Sequence, residues 1–375
     1  MAEATVQGTP SWLRATNNRT ALSLLLEHGP LTRNRIGQLS GLSKPTAAQM
    51  VSRLEDAGLI QVFGEVSGGP GPNAVSYAVR ADRHVGVAVV IGTEEMHSTL
   101  VDAVGTVFPV ATTPVGAASA RTAVGDVSAA IAAACEAAGA SRSAVTLVEV
   151  GVQAAVAPRT DELAFTDTLP GWPAHGIRAH LEAELGLEVS LENDVNLAAV
   201  AERGAGTADD VEGFALLWLG DGLGLAIDIA GQVYRGSSGG AGEIGYLAAP
   251  PVGPDSIGGE TGDLTALFGA AEVDRLAREF GDSALHHLAP RIAAGLVPVL
   301  AVLDPERVVL GGPVGVRGGA ILASLVADHL ERTTRWSPDV VATRVPELAV
   351  LAGARELLLS GIRRRLFDEV SRITN

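Results

Sequence analysis

The sequence predicts an α/β protein in two parts, a small module of three helices and a β-hairpin followed by a larger body. Two observations carry this. Helix-period hydrophobic spacing with capping residues runs through the first 80 positions, and beyond Asp82 strand-like apolar runs alternate with alanine-rich helices. A chain of 375 residues exceeds the usual single domain, and a hydrophobic fraction of 47% suffices to bury a sizeable core.

Residues 1–15 lack periodicity and read as a disordered arm. From Arg19 to His28, RTALSLLLEH sets Leu22, Leu25 and Leu26 on one helical stripe, which Gly29-Pro30 ends. Thr32 is placed to cap a second helix, RNRIGQLS, with Ile36 and Leu39 facing inward. Gly41 permits a tight turn, and Ser43 caps a third helix whose first turn tolerates Pro45 because its missing N–H has no partner there. At about 100° per residue, Ala47, Met50, Val51 and Leu54 fall on one side of that helix, and Thr46, Gln49 and Arg53 on the other. The strand-like runs AGLIQVFGEV and NAVSYAVR then flank SGGPGP. This is the order of a winged helix-turn-helix, assigned to residues 1–80.

Charge is spread unevenly. The formal net charge is -16, yet residues 1–80 carry seven basic side chains against five acidic ones, which suits a module facing a polyanion joined to an acidic body that does not. Lys44, the single lysine of the chain, stands at the start of the third helix, where backbone N–H groups and the positive dipole end also favour phosphate. Beside the capping Ser43, Lys44 reads as a phosphate clamp, with Arg33, Arg35 and Arg53 as further backbone contacts. Thr46 and Gln49 are placed to reach base edges of double-stranded DNA, Gln being suited to adenine and Thr to a thymine methyl. The wing tip offers glycine, proline and asparagine and no arginine for a minor groove.

In the body, strands are expected at HVGVAVVIG, MHSTLVDAVGTVF, AVTLVEVGV, EVSLEND, GFALLWLGDGLGLAIDIAGQVY and RVVLGGP, with helices near 120–139, 174–185, 195–204, 263–280, 284–302, 318–332 and 352–367. Three stretches suggest a ligand. EVSLEND ends a strand on Glu192-Asn193-Asp194, a carboxylate and amide set suited to vicinal hydroxyls; Asn193 or Asp194 could equally cap the next helix. YRGSSGGAGEIGYL presents Glu243 on a glycine-rich loop. VVLGGP ends a strand on Gly311-Gly312.

These three, in this order, resemble the ROK family of repressors, open reading frames and sugar kinases, and in particular its transcriptional regulators. The resemblance runs from about Ala21 to the last helix. It implies a two-lobed actin-like ATPase body at 83–375, with lobe one near 83–195 plus the C-terminal helix, lobe two near 196–345, and a sugar site in the cleft. It gives Asp194 the position of the kinase members' general base and Glu243 that of a sugar-binding glutamate. Tyr246 takes the place of the histidine in the family's AGEIGH motif, where it could stack on a sugar, hydrogen-bond to it, or fill space.

Two departures bear on activity. The family's zinc-binding CxCGxxGC cluster should follow, but LAAPPVGPDSIGGETGDL has no cysteine, so no zinc or other metal and no cofactor is expected. Kinase members open the body with DxGGT, whereas GVAVVIGTEE puts Ala88 and Val90 where the acid is sought and Glu94 and Glu95 where phosphate would approach; Asp221 in GDGLG adds a further negative charge. Phosphoryl transfer rests on positioning and charge neutralisation, so turnover of ATP is not expected. The reading is a DNA-binding regulator, by family leaning a repressor, with a sugar or sugar-phosphate effector and a homodimeric or homotetrameric assembly. The alternatives are a kinase with an attached DNA module and a body that serves only as a scaffold. The lone Cys135 excludes an internal disulfide, and without a secretion pattern or a run of about 18 apolar residues the protein is expected in the cytoplasm, off the membrane. Trp172 reads as a core or loop anchor, and the adjacent His286 and His287 as structural, since neighbours on a helix point apart.

Overall fold

Local capping sets the N-terminal module. The computed structural model describes residues 10–66, 74–166, 168–220, 222–250, 262–345 and 347–373. Helix α1 (Pro10–His28) starts well before Arg19, so residues 10–15 are helical and not part of an arm; 1–9 lie outside the described residues. Tertiary contact explains the extension of a segment with no apolar stripe of its own. The Arg19 guanidinium lies over the Phe367 ring and donates to Ser371, both on the last helix, while Thr16 and Thr20 return their hydroxyls to carbonyls four residues back.

After strand β1 (Leu31–Thr32), α2 (Arg33–Ser40) begins with the Thr32 hydroxyl accepting from Arg35 N and ends at Gly41 in the left-handed region, φ 70°. Helix α3 (Lys44–Asp56) has Ser43 as its cap and buries Ala47, Met50, Val51 and Leu54. Leu39, expected inside, is exposed. A Cβ on Gly37 would lie 3.3 Å from that of Ala47, so α3 crosses α2 at Ile36-Gly37 and leaves Leu39 on the rim. Strands β2 (Ile60–Val66) and β3 (Ala74–Val79) complete a sheet of order β1-β3-β2. The wing tip, 67–73, lies outside the described residues.

The body repeats one topology twice. Its first half contains β4 (Val85–Ile91), β5 (Glu95–Asp102), β6 (Ala111–Pro114), α4 (Ala123–Ala138), β7 (Val145–Val152), the short pair β8 (Ala155–Val156) and β9 (Leu163–Ala164), α5 (Ile177–Leu185) and β10 (Glu188–Asn193). The sheet order is β10-β7-β4-β5-β6, antiparallel across β4-β5-β6 and parallel across β4-β7-β10. The second half contains α6 (Asp194–Ala205), β11 (Gly213–Leu219), β12 (Leu223–Ile229), β13 (Gln232–Val233), α7 (Leu264–Phe268), α8 (Ala270–Phe280), α9 (Ala284–Leu303), β14 (Arg307–Gly311), α10 (Gly312–Thr333), β15 (Asp339–Ala342) and α11 (Ala349–Arg372). Its sheet, β13-β12-β11-β14-β15, has the same order and the same mix of antiparallel and parallel pairs.

Each sheet has an outer apolar layer. Helices α4 and α5 cover the first, where Cys135 is buried and Asp126 accepts from both Arg121 Nε at 2.7 Å and Trp172 Nε1 at 2.8 Å. Helices α7 to α10 cover the second. The stretch through α9 has a window of mean hydropathy 1.4, but Leu288, Ile292, Leu296 and Leu300 of α9 spend their apolar surface on the second sheet's core. Helices α6 and α11 pack on each other between the two sheets.

One further core ties module to body. Leu22 and Leu25 of α1, Met50 and Leu54 of α3, Ala88 of β4 and Leu358, Ile362, Leu366 and Val370 of α11 form a continuous buried cluster. At about 1.5–3 kcal/mol for each fully buried aliphatic side chain, this apolar contact outweighs the ion pairs around it.

Candidate functional site

The first site is the start of α3. Lys44 and Ser43 are exposed there, and the Ser43 hydroxyl lies 2.9 Å from Thr46 Oγ1 and 3.4 Å from the Thr46 N–H it caps. Thr46 is half-buried and engaged with its cap, whereas Gln49 is exposed one turn on and accepts from Arg53 at 3.3 Å. That bond uses the Gln49 carbonyl and leaves its amide N–H groups to point outward. Arg35 is exposed and reaches Gln38 at 3.4 Å. Arg33 is exposed as well, 3.7 Å from Glu55 and with its guanidinium over the Tyr77 ring. Gln49 and Arg53 therefore share one face, Lys44 stands exposed at the helix start, and Arg33 braces α2 against α3 and the wing.

The second site lies where β10 meets α6 and faces the glycine-rich loop of the second half. Asn193 caps α6: its side-chain oxygen accepts from Asn196 N at 3.0 Å and its amide donates to Ala154 O at 3.2 Å. Asp194 follows in the first turn and accepts from Val195 N at 2.8 Å. Burial pushes the Asp194 carboxyl up to about 7; the bond from Val195 opposes this, and the charge of Glu243 adds to it. Burial also raises the Glu243 carboxyl. The packing of α6 on β12 and the return of the glycine-rich loop to β12 thus bring the charges of Asp194 and Glu243 within reach of each other.

Two glycines make this approach possible. A Cβ on Gly242, φ 92°, would lie 1.7 Å from the Leu225 carbonyl oxygen of β12, and one on Gly239, φ 81°, would lie 2.2 Å from the Val156 oxygen of β8. The loop carrying Glu243 is wedged between one strand from each half. By contrast Gly312, φ 74°, approaches the Leu219 backbone, and a Cβ there would lie 2.6 Å from Leu219 O. That contact between β11 and the start of α10 accounts for the Gly311-Gly312 pair without a ligand.

Tyr246 stands in a one-turn 3-10 helix, Ile244–Tyr246, and stacks on Phe165 with centroids 4.8 Å apart. Phe165, just past β9, has a left-handed backbone, φ 57°, unusual for an aromatic residue. Sequence reasoning passed over Phe165, because an isolated aromatic in a loop has no period to mark it. It also missed the salt bridge from Arg235, beyond β13, to Glu192 on β10, with Nε 2.6 Å from Oε2. Asn196 donates to the other Glu192 oxygen at 2.9 Å, so Glu192 is a fully engaged tie between halves.

The remaining expectations divide. Asp221 and the stretch 251–261, where the family's cysteine cluster would fall, lie outside the described residues. The donor set for that zinc does not fit this chain, whose one cysteine is buried under the first sheet. Ala88 is fully buried on β4 and Val90 half-buried, so no acid projects from that strand. His287 stacks on Phe280, with centroids 3.8 Å apart.

Paired sheets of identical topology with helices packed between them define a two-lobed actin-like body, here behind a winged helix-turn-helix. Comparison with known proteins is specific about the family. Residues 86–271 match the ROK family and residues 15–61 a winged helix-turn-helix DNA-binding domain, so the chain carries a ROK domain behind a DNA-binding module. Among curated relatives, a glucokinase from Halalkalibacterium halodurans is 28% identical over 43% of this chain and 59% of its own length. A putative xylose repressor from Caldicellulosiruptor sp. is 23% identical over 64% of this chain and 60% of its own. The chain thus spans about three fifths of these two relatives. Among solved structures, a ROK hexokinase from Thermus thermophilus, 25% identical, superposes with TM-score 0.60 over 74% of this chain and 99% of its own. A ROK family transcriptional regulator, a homologue of the E. coli MLC protein, is 19% identical and shares the fold over 96% of this chain and 98% of its own, with TM-score 0.64.

Proposed function

We propose that this protein is a DNA-binding transcriptional regulator, acting as a repressor, whose ROK body binds a sugar or related polyhydroxy ligand between Asp194 and Glu243 without phosphorylating it. The observation that carries this is the continuous core joining the DNA-binding module to α11, while β4 offers Ala88 in place of an acid. A kinase needs a carboxylate to manage the metal beside the transferred phosphoryl group, and a buried alanine cannot serve.

Lys44, Arg35 and Arg53 are assigned to phosphates, Gln49 and Thr46 to base edges, with Ser43 presenting the helix start. Arg33 is assigned to bracing, with its phosphate contact secondary. At Asp194 and Glu243, two half-buried carboxyls with raised affinity for protons suit hydroxyl groups, because a protonated one donates and an ionised one accepts. Tyr246 and Phe165 give the cleft an apolar wall for the flat face of a sugar ring. The modules would act in pairs on half-sites about one helical turn apart, so closure of the two lobes in a homodimer would alter their spacing.

The test combines DNA selection with the full chain, anisotropy on the selected duplex, and titration with a panel of sugars and sugar phosphates. A sugar that changes duplex affinity, loses that effect in Asp194→Asn and Glu243→Gln, and is not phosphorylated with ATP and magnesium supports the reading. Phosphorylation of any sugar would replace it with a kinase. Equal sugar affinity with and without duplex would remove the coupling.

A further inference from the structure

Strands β7 and β10 and helices α5 and α11 line a cavity of about 670 Å³ that Asp194 and Glu243 do not reach. It opens because β10 is the edge strand and α11 covers only β4, β5 and β7. The inward residues of the exposed strip are polar: Glu149 on β7 and Glu188, Ser190 and Glu192 on β10. Facing them from α11 are Arg364, Arg365 and Arg372.

Pairing decides the residual charge. Glu188 is paired with Arg365, Glu192 with Arg235, and Glu369 with Arg83 and His84. Arg178 reaches Asp161 but leaves Nε buried without a hydrogen-bond partner, and His84 Nδ1 is in the same state. Among the described residues Arg364 and Arg372 make no ion pair, and only Asp368 stands between them on that face of α11. Glu149 is buried at the cavity wall, and burial followed by the charge of Glu192 pushes its carboxyl up to about 8, so at neutral pH it adds no negative charge and offers a proton.

We propose that this cavity is a second ligand site, taking a compact oxyanion (a phosphate or carboxylate group on a small metabolite) on Arg364 and Arg372 with the Glu149 carboxyl as hydrogen-bond donor. The volume accommodates a metabolite of sugar-phosphate size. Guanidinium groups hold such anions in charge-assisted, often bidentate pairs. The site is separate from Asp194 and Glu243 and stands whether or not a sugar binds there. Its position gives it a regulatory reach, because the same last turns of α11 carry Phe367 and Ser371, which hold Arg19 of the DNA-binding module.

The experiment is calorimetric titration of the full chain with inorganic phosphate, glucose 6-phosphate and citrate, whose separate arms distinguish free phosphate, a phosphorylated sugar and a carboxylate. At least one should bind with Kd below about 1 mM, weaken about tenfold or more in the double variant R364A/R372A, and recover in part in R364K/R372K. Both arginines are exposed, so folding is expected to survive and is checked by circular dichroism. The cleft variant D194N/E243Q should leave the affinity within about twofold. No binding of any of the three, binding unchanged in R364A/R372A, or binding lost in D194N/E243Q would each overturn the proposal, the last by assigning the anion to the cleft.

Discussion

Lys44 stands in solvent at a helix start, while Glu149 holds its carboxyl inside the fold, and these surroundings give opposite predictions for neutralising each. Lys44→Ala should weaken binding to every duplex alike and lower the salt slope of log K by about 0.9, the share of one phosphate; a changed sequence preference would instead make Lys44 a base reader. Gln49→Ala should alter preference at one position by about 1–3 kcal/mol, read by selection on randomised duplexes. For Glu149 the native carboxyl titrates near 8 against 4.5 for the free group, so between those values the folded chain holds a proton that the unfolded chain has released. Native stability from this group is therefore intact below about pH 4.5 and declines as pH rises toward 8. Glu149→Gln should match the parent in urea melts near pH 5 and exceed it near pH 9, by an amount on the order of a few kcal/mol. A parallel pH dependence in both proteins would show that Glu149 is ionised and paired in the native state.

At the scale of elements, close backbone approach governs the packing of α6 on α11. A Cβ on Gly353 of α11 would lie 1.8 Å from the Leu197 carbonyl oxygen of α6, so Gly353→Ala must part the two helices. It should cost about 1–3 kcal/mol or more, and a thermal melt indistinguishable from the parent would mean that the helices slide freely. The residues of α3 needed no such context. Its cap, its proline and its four buried positions are legible in the chain, since capping and helical periodicity are local. Short edge strands were not. Strands β6, β8, β9 and β15, of two to four residues, carry no period long enough to read and exist because a neighbouring strand pairs with them.

For the whole molecule, the shared core between the DNA-binding module and α11 predicts that module and body unfold together. Leu366 is fully buried in that core, and Leu366→Ala should cost about 2–5 kcal/mol and lower a single calorimetric transition. Two separated transitions would mean that the module is tethered and not integrated, which would weaken any coupling between ligand and DNA. The candidate cleft depends on the same scale. Asp194 and Glu243 are far apart in the chain, and Glu243 acts on Asp194 because α6 and the glycine-rich loop both pack on β12.

By itself the sequence determined the three-helix module with its wing, the identity of the residues at the head of α3, the alternating strands and helices of the body, and the order of motifs that marks the family. All of these rest on local signals: caps, glycine turns, hydrophobic period and residue type. Only the tertiary structure decided that α1 reaches back to Pro10, that Leu39 is not where the helix period put it, that Arg33 leans on Glu55 and Tyr77, that Asn193 caps α6, and that Phe165 clasps Tyr246. The cavity under α11 belongs to the same class. Such features arise from which surfaces are left over when helices and sheets pack, and that remainder depends on contacts between residues distant in sequence, for which no window of the chain carries a period.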